Sequence, residues 1–343
     1  MATSPSCPPD RSGSCPPGDT IDDMRPEAQS LAPKVRRPRF TRHAPEPIQL
    51  TADDLAIIQY VGKHRFLRST HVARLFPSRS YKKLVERLAA LYHNGYLDRP
   101  RAQLDVYAVG GSAPMVYGLG NRAAQHLAGY DGRAGADLDW TAKNRDVGRV
   151  FIDHTLLVAD LMVGAACAVR LKPDVELIDA DCMLAVAPDS TRRATNPWKF
   201  ATRVLQAGQQ LDLAVIPDAV FGLDFTAERR RTYFFVEADC ATMPVVRTGV
   251  HQSSFARKLM AYVAGGGKTN AFGQQLGIGN FRVLTVTTST ERIASMIEAL
   301  KNLTGGAGSA QFLFTNRSTL LATHDLLSLE WISGKGERVR LVD

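Results

Sequence analysis

Asp218, Glu237, Asp239 and Lys258 are the residues of this chain best suited to phosphodiester chemistry. Asp218 ends the apolar run Leu213–Pro217, and Glu237 and Asp239 close a second run that starts at Thr232. Lys258 follows in a helical pattern with Leu259 and Tyr262. Hard oxygen ligands of this kind suit Mg²⁺ or Mn²⁺, and hydrolysis also needs a cation or base to activate water. Side chains alternate along a strand, so Glu237 and Asp239 share one face while Val236 and Ala238 take the other. With Asp218 on the neighbouring strand the three acids converge, and acids so crowded repel unless a cation or proton is shared. Two readings stand. In the first, Asp218, Glu237 and Asp239 are metal ligands and Lys258 completes a catalytic set. In the second, Glu237 and Asp239 pair with Arg257 and Lys258 as a structural ion network.

The elements that must position these groups read as follows. A long helix spans about 148–171, with Val150, Phe151, Leu156, Leu157 and Leu161 on or near its apolar face and His154 within the pattern. Residues 175–186 read as a strand on which Asp179 and Asp181 alternate, facing solvent or an interdomain cleft. Residues 188–210 are an insertion carrying Arg192, Arg193, Trp198, Lys199 and Arg203, either a loop anchored by the tryptophan or a second nucleic-acid contact. Strands follow at 213–223 and 232–239, then a helix at 252–263 and a β-branched strand at 281–288. A helix at 291–303, a strand at 311–315 and a weakly patterned tail from Leu326 complete the chain. Gly265-Gly266-Gly267-Lys268-Thr269 echoes a phosphate loop, but Tyr262 stands at the first required glycine and the segment follows a helix.

The preceding half reads differently. Residues 1–47 hold ten of the eighteen prolines and too few large apolar residues to offset ordering entropy, so a disordered segment is expected. It ends in a basic arm of Lys34, Arg36, Arg37, Arg39 and Arg42. Thr51 caps a first helix through Leu55, Ile58 and Val61, and a short helix follows from Ser69 or Thr70. A third helix buries Leu84, Leu88 and Leu91 and turns Arg79, Lys82, Lys83 and Arg87 outward. Gly95 stops it, and a hairpin with Arg99 and Arg101 on its edge returns through Met115–Leu119. Three helices and a hairpin in this order resemble a winged helix-turn-helix, whose third helix enters the major groove of double-stranded DNA.

The order helix, three strands, helix, strand, with Asp218 at the second strand and Glu237 at the third, resembles the PD-(D/E)xK nuclease core. Together with the winged helix, residues 50–320 resemble the replication-relaxation family of plasmid and mobile-element proteins. The resemblance rests on Ile216-Pro217-Asp218-Ala219, on Phe235-Val236-Glu237-Ala238-Asp239 with Thr242, and on Lys258-Leu259 with Tyr262. One departure stands out. The nuclease pattern wants lysine two residues after the glutamate, where this chain has Asp239; Lys258, at the start of the next helix, is the candidate to reach in instead, with its neighbour Arg257 the weaker one. The resemblance implies an α/β chain divided into the 1–47 arm, a winged helix at 48–129, a linker at 130–148, a nuclease-like domain at 149–325 and a tail at 326–343. It also implies DNA transactions in replication initiation, mobilisation or relaxation, with a relaxase or replication protein as partner. A Mg- or Mn-dependent nickase and a winged-helix transcriptional regulator are the alternatives.

Composition agrees with a polyanionic partner. Lys and Arg outnumber Asp and Glu by 42 to 34, a formal charge of +8. No uninterrupted apolar run approaches the ~18–20 residues of a membrane span. The five cysteines form no C-x-x-C pair, which points to reduced thiols in a cytoplasmic protein and to neither zinc nor a disulfide framework.

Overall fold

Contacts divide the chain into Met1–Thr41 and Arg42–Asp343. The structure, a computed structural model, describes residues 39–107, 113–131, 139–206, 208–247, 252–267 and 269–342. Most of the N-terminal arm and the Gly110-Gly111-Ser112 hairpin tip lie outside the described residues.

The second unit opens with helix α1 (Ala52–His64), whose start is fixed by a reciprocal cap. Thr51 Oγ1 accepts from Asp54 N, and the Asp54 carboxylate accepts from Thr51 N at 2.8 Å. Strand β1 (Phe66–Arg68), helices α2 (Ser69–Leu75) and α3 (Tyr81–His93), and strands β2 (Leu97–Asp98) and β3 (Val116–Leu119) follow. The strands form an antiparallel sheet in the order β1-β3-β2. Ile57, Val61, Leu84, Leu88 and Leu91 fill the core between helices and sheet. Gly118 keeps β3 flat against β1, because a Cβ there would stand 2.7 Å from the Phe66 ring.

Helices α4 (Asn121–Asp131) and α5 (Trp140–Arg145) occupy the stretch that reads as helix and linker in the sequence. Asn144 of α5 is buried and donates to the Leu119 carbonyl at 2.9 Å. Helix α6 (Arg149–Val169) then serves two cores. Its Ala159 and Val163 pack with α1, α2 and α3, while Leu157, Leu161 and Met162 pack with the large sheet described below. By length and composition α6 is apolar enough to cross a membrane. In the fold, Leu157, Leu161, Val163, Ala165 and Ala168 are all buried by neighbouring elements.

Beyond α6 come β4 (Val175–Ile178), α7 (Ala180–Val186), α8 (Asp189–Arg192), β5 (Phe200–Gln206), β6 (Gln209–Val215), β7 (Ala219–Phe225) and β8 (Arg230–Ala238). Then follow α9 (Phe255–Gly266), α10 (Ala271–Leu276), β9 (Phe281–Thr287), α11 (Thr290–Leu303), β10 (Phe312–Asn316), α12 (Arg317–Ala322), β11 (Trp331–Ser333) and β12 (Arg338–Val339). Seven strands make one mixed sheet in the order β12-β11-β10-β9-β8-β7-β4. The β4-β7-β8 meander is antiparallel and β9 lies parallel to β8. Helices α9 and α11 and the β5-β6 hairpin cover one face; α6 covers the other. The chain is thus a mixed α/β protein.

Four sequence expectations are corrected here. The 175–186 strand is a short strand followed by a helix, because Asp179 caps α7 by accepting from Cys182 N at 2.9 Å. The 213–223 strand breaks at Ile216-Pro217-Asp218, leaving β6 paired with β5 and β7 in the large sheet. The 188–210 insertion supplies strand β5 of that hairpin. The tail from Leu326 belongs to the core: Leu326, Leu327, Trp331 and Leu341 are buried, and β11 and β12 extend the sheet.

Candidate functional site

Asp218 sits where the chain enters β7. Its backbone N–H donates to the Val236 carbonyl at 2.9 Å, and its Oδ2 accepts from Ala238 N at 2.8 Å. The carboxylate thus finishes the β7-β8 ladder where Pro217, lacking an N–H, interrupts it. His154 of α6 reaches the same oxygen, Nε2 to Oδ2 at 3.1 Å. That hydrogen bond raises the imidazole pKa above its usual value against the opposing effect of burial.

Antiparallel pairing of Ala219 with Val236 places Asp218 next to Glu237. Glu237 is 1% exposed and fully engaged: Tyr262 of α9 donates to Oε1 at 2.6 Å, and Lys258 of α9 donates to Oε2. Burial, helped by the charge on Asp218, pushes the Glu237 carboxyl up to about 7 against the pull of Lys258 and Tyr262. Burial disfavours the Lys258 ammonium, yet Glu237 and Asp218 together raise its pKa. Thr285 stands beside Glu237 in the parallel register with β9, and its buried hydroxyl has no hydrogen-bond partner among the described residues.

Asp239 has its own cation. Arg292, in the first turn of α11, grips both carboxylate oxygens, with Nη2 to Oδ1 at 2.8 Å, and also donates to the Met243 carbonyl at 2.7 Å. Thr287 Oγ1 adds a bond of 2.5 Å to Oδ2. Because β9 runs parallel to β8, the helix after β9 opens at the sheet end where Asp239 emerges. Helices α9 and α11 cover the same face, so each acid of the pair receives a cation from a different helix.

The three acids are therefore neighbours without forming one cage. Among the described residues no group of three or more His, Cys, Asp and Glu side chains is placed to hold a metal ion. The set Asp218, Glu237 and Asp239 does not fit the three-ligand site expected from sequence. The cause is physical: Lys258, Tyr262, Thr287 and Arg292 supply the donors that a cation would replace. The ion-network alternative has the right lysine, while the partner of Asp239 is Arg292, a residue the sequence reading did not single out.

Asp218 and His154 border an open cavity of about 620 Å³ lined by α6, the α1-β1 turn, β4, the segment before β5 and the entry to β7. Tyr60, Lys63, Phe151, Trp198 and Ile216 also line it. Lys63 bridges to Asp179 at 2.8 Å, which places Asp179 on the cavity wall. Elsewhere along α6, Arg68 of β1 and His71 of α2 both bond Asp160, at 2.5 and 2.6 Å.

The six cations assigned to DNA divide into two groups. Lys82 and Lys83 on α3, and Arg101 after β2, are exposed. Arg79 lies in the turn before α3 and bonds Asp53, with Nε to Oδ2 at 2.6 Å. Arg87 bonds Asp54 at 2.9 Å and the Gln49 carbonyl at 2.7 Å. Arg99 lies over the Tyr92 ring, 4.2 Å from its centroid, and bonds the Tyr117 hydroxyl. Arg42 of the basic arm is likewise occupied, bonding the Tyr92 and Leu97 carbonyls at 3.0 Å.

A family model described as replication-relaxation matches residues 58–273, more than half of the chain and including Asp218, Glu237, Asp239 and Lys258. No curated protein and no solved structure gives a significant match.

Proposed function

This chain belongs to the replication-relaxation family, and from that premise we propose that it is a DNA-binding protein of a plasmid or mobile element. In this reading it acts in replication or relaxation of that DNA, and its nuclease-like core is a scaffold without a working metal cage. The helix-strand-helix-helix-hairpin order of residues 52–119 supports a winged helix. Its α3 enters the major groove, with Lys82, Lys83 and Arg101 meeting phosphates. The helix, antiparallel meander, helix and parallel strand formed by α6, β4, β7, β8, α9 and β9 support a PD-(D/E)xK ancestry for the sheet region.

The single observation that carries the scaffold reading is the clamp of Arg292 and Thr287 on Asp239. An acid neutralised this way contributes ion pairing to the fold. Incubating supercoiled plasmid with the protein in Mg²⁺ or Mn²⁺ tests the reading. Retarded but intact plasmid is expected. Nicked circles that vanish with Asp218→Ala would replace it with the nickase reading, which the adjacency of Asp218, Glu237 and Lys258 favours.

A further inference from the structure

We propose that the cavity between the N-terminal helices and the sheet receives an unpaired nucleotide, so that the protein holds DNA whose duplex is locally opened. This rests on the DNA-binding reading above and names the form of DNA that the cavity takes.

The lining argues for a base and its phosphate together. Trp198 packs against the sheet core and also lines the cavity, and Tyr60 and Phe151 supply further aromatic surface. Phe151 and Ile216, which also line it, are 49% and 50% exposed. Exposed apolar groups that form one patch mark interaction surfaces, ligand grooves among them. Every base has a π face, so such rings hold unpaired nucleotides irrespective of sequence.

Charge is sorted along the same cavity. Lys63 lines the cavity with its side chain 41% exposed, and its bridge to Asp179 is a surface pair that a phosphate can compete for. Asp218, less exposed at 16%, lines the same cavity beside His154. A phosphate can take the place of Asp179 on Lys63, whereas the amino and imino edges of a base can donate to the Asp218 carboxylate. The backbone is thereby held at Lys63 and the base directed toward Asp218. At about 620 Å³ the cavity falls within the ~300–1,000 Å³ range of small-ligand sites. A stacked duplex offers no single base to such a space unless that base leaves the stack.

The test compares binding of the full-length protein to one duplex in two forms, fully paired and with a central unpaired bubble. Wild type is expected to prefer the bubble by roughly 5- to 150-fold, the ~1–3 kcal/mol of one base stack. Trp198→Leu, which keeps an apolar side chain against the core, should lose that preference and bind paired duplex as before. Phe151→Asp at its half-exposed position should do the same by placing like charge beside the phosphate, so a folding defect at Trp198 would not decide the matter. Equal affinity of wild type for both forms, or a bubble preference untouched by either substitution, overturns the proposal while leaving duplex binding standing. Loss of binding to every DNA form by wild type would instead remove the functional reading beneath it.

Discussion

Replacing Arg292 by alanine should be among the most damaging single changes to this fold. The guanidinium is 15% exposed and its partner Asp239 only 4%, and the substitution removes both bonds to that carboxylate and one to the Met243 carbonyl. What remains around Asp239 is Thr287 Oγ1 and a carboxylate cut off from water. Removing one member of a buried pair typically costs about 3–5 kcal/mol, because the other charge is left uncompensated. Lys258→Ala should cost less, about 1–2 kcal/mol. Its partner Glu237, with a pKa raised to about 7, can take up a proton near neutrality and keep its bond to Tyr262. Urea unfolding followed by tryptophan fluorescence would measure both, comparing midpoints at unchanged slope. The double variant Arg292→Met with Asp239→Leu should recover part of the loss, with a coupling of roughly 0.5–3 kcal/mol. An Arg292→Ala protein within about 0.5 kcal/mol of wild type would refute the reasoning. It would return Asp239 to the set of acids available for a cation.

Two further outcomes follow from the same geometry. Glu237 binds its proton more tightly folded than unfolded, so its contribution to stability is present below about pH 4.5 and is lost as pH rises to about 7. Glu237→Gln should remove that slope, an effect of up to about 3 kcal/mol across the window; parallel pH profiles for both proteins in urea melts would contradict the assignment. His154, raised by Asp218, titrates in the same sense and should leave a smaller residual slope in the variant. Trp331→Ala, at a fully buried position in β11, should cost about 3–5 kcal/mol and show by the same melts that the C-terminal segment is core. A neutral result would mean that the segment docks without stabilising the fold.

Much of the architecture was legible because periodicity reports burial. The stripe of Leu84, Leu88 and Leu91, the apolar run of α6 and the strand at Phe281 all appear as elements near the positions read from sequence. Three features were not legible, for distinct reasons. Asp179 acts as a helix cap as well as an ion partner, so an alternating acid pattern ended a strand instead of continuing it. The tail strands are three and two residues long, too short to show a period, and owe their place to the pairing of β11 with β10 and of β12 with β11. Arg292 lies 53 residues from Asp239, and only the parallel register of β9 on β8 brings them together. For the same reason the sequence left Glu237 and Asp239 readable either as metal ligands or as members of an ion network. His154 was visible as a polar break in an apolar helix, although its partner Asp218 could be assigned only once α6 lay across the sheet end. On α3 the basic residues looked equivalent; acids on α1 engage Arg79 and Arg87 and leave Lys82 and Lys83 facing solvent.

That last distinction gives the most direct measurement: the salt dependence of duplex affinity for wild type beside Lys82→Ala with Lys83→Ala. If both lysines meet phosphates, affinity should fall for every sequence tested, and the slope of log K against log salt should flatten by about 1.8, at ~0.9 per contact. Unchanged affinity and slope in a folded double variant would contradict docking through α3, and with it the account of how this protein meets DNA.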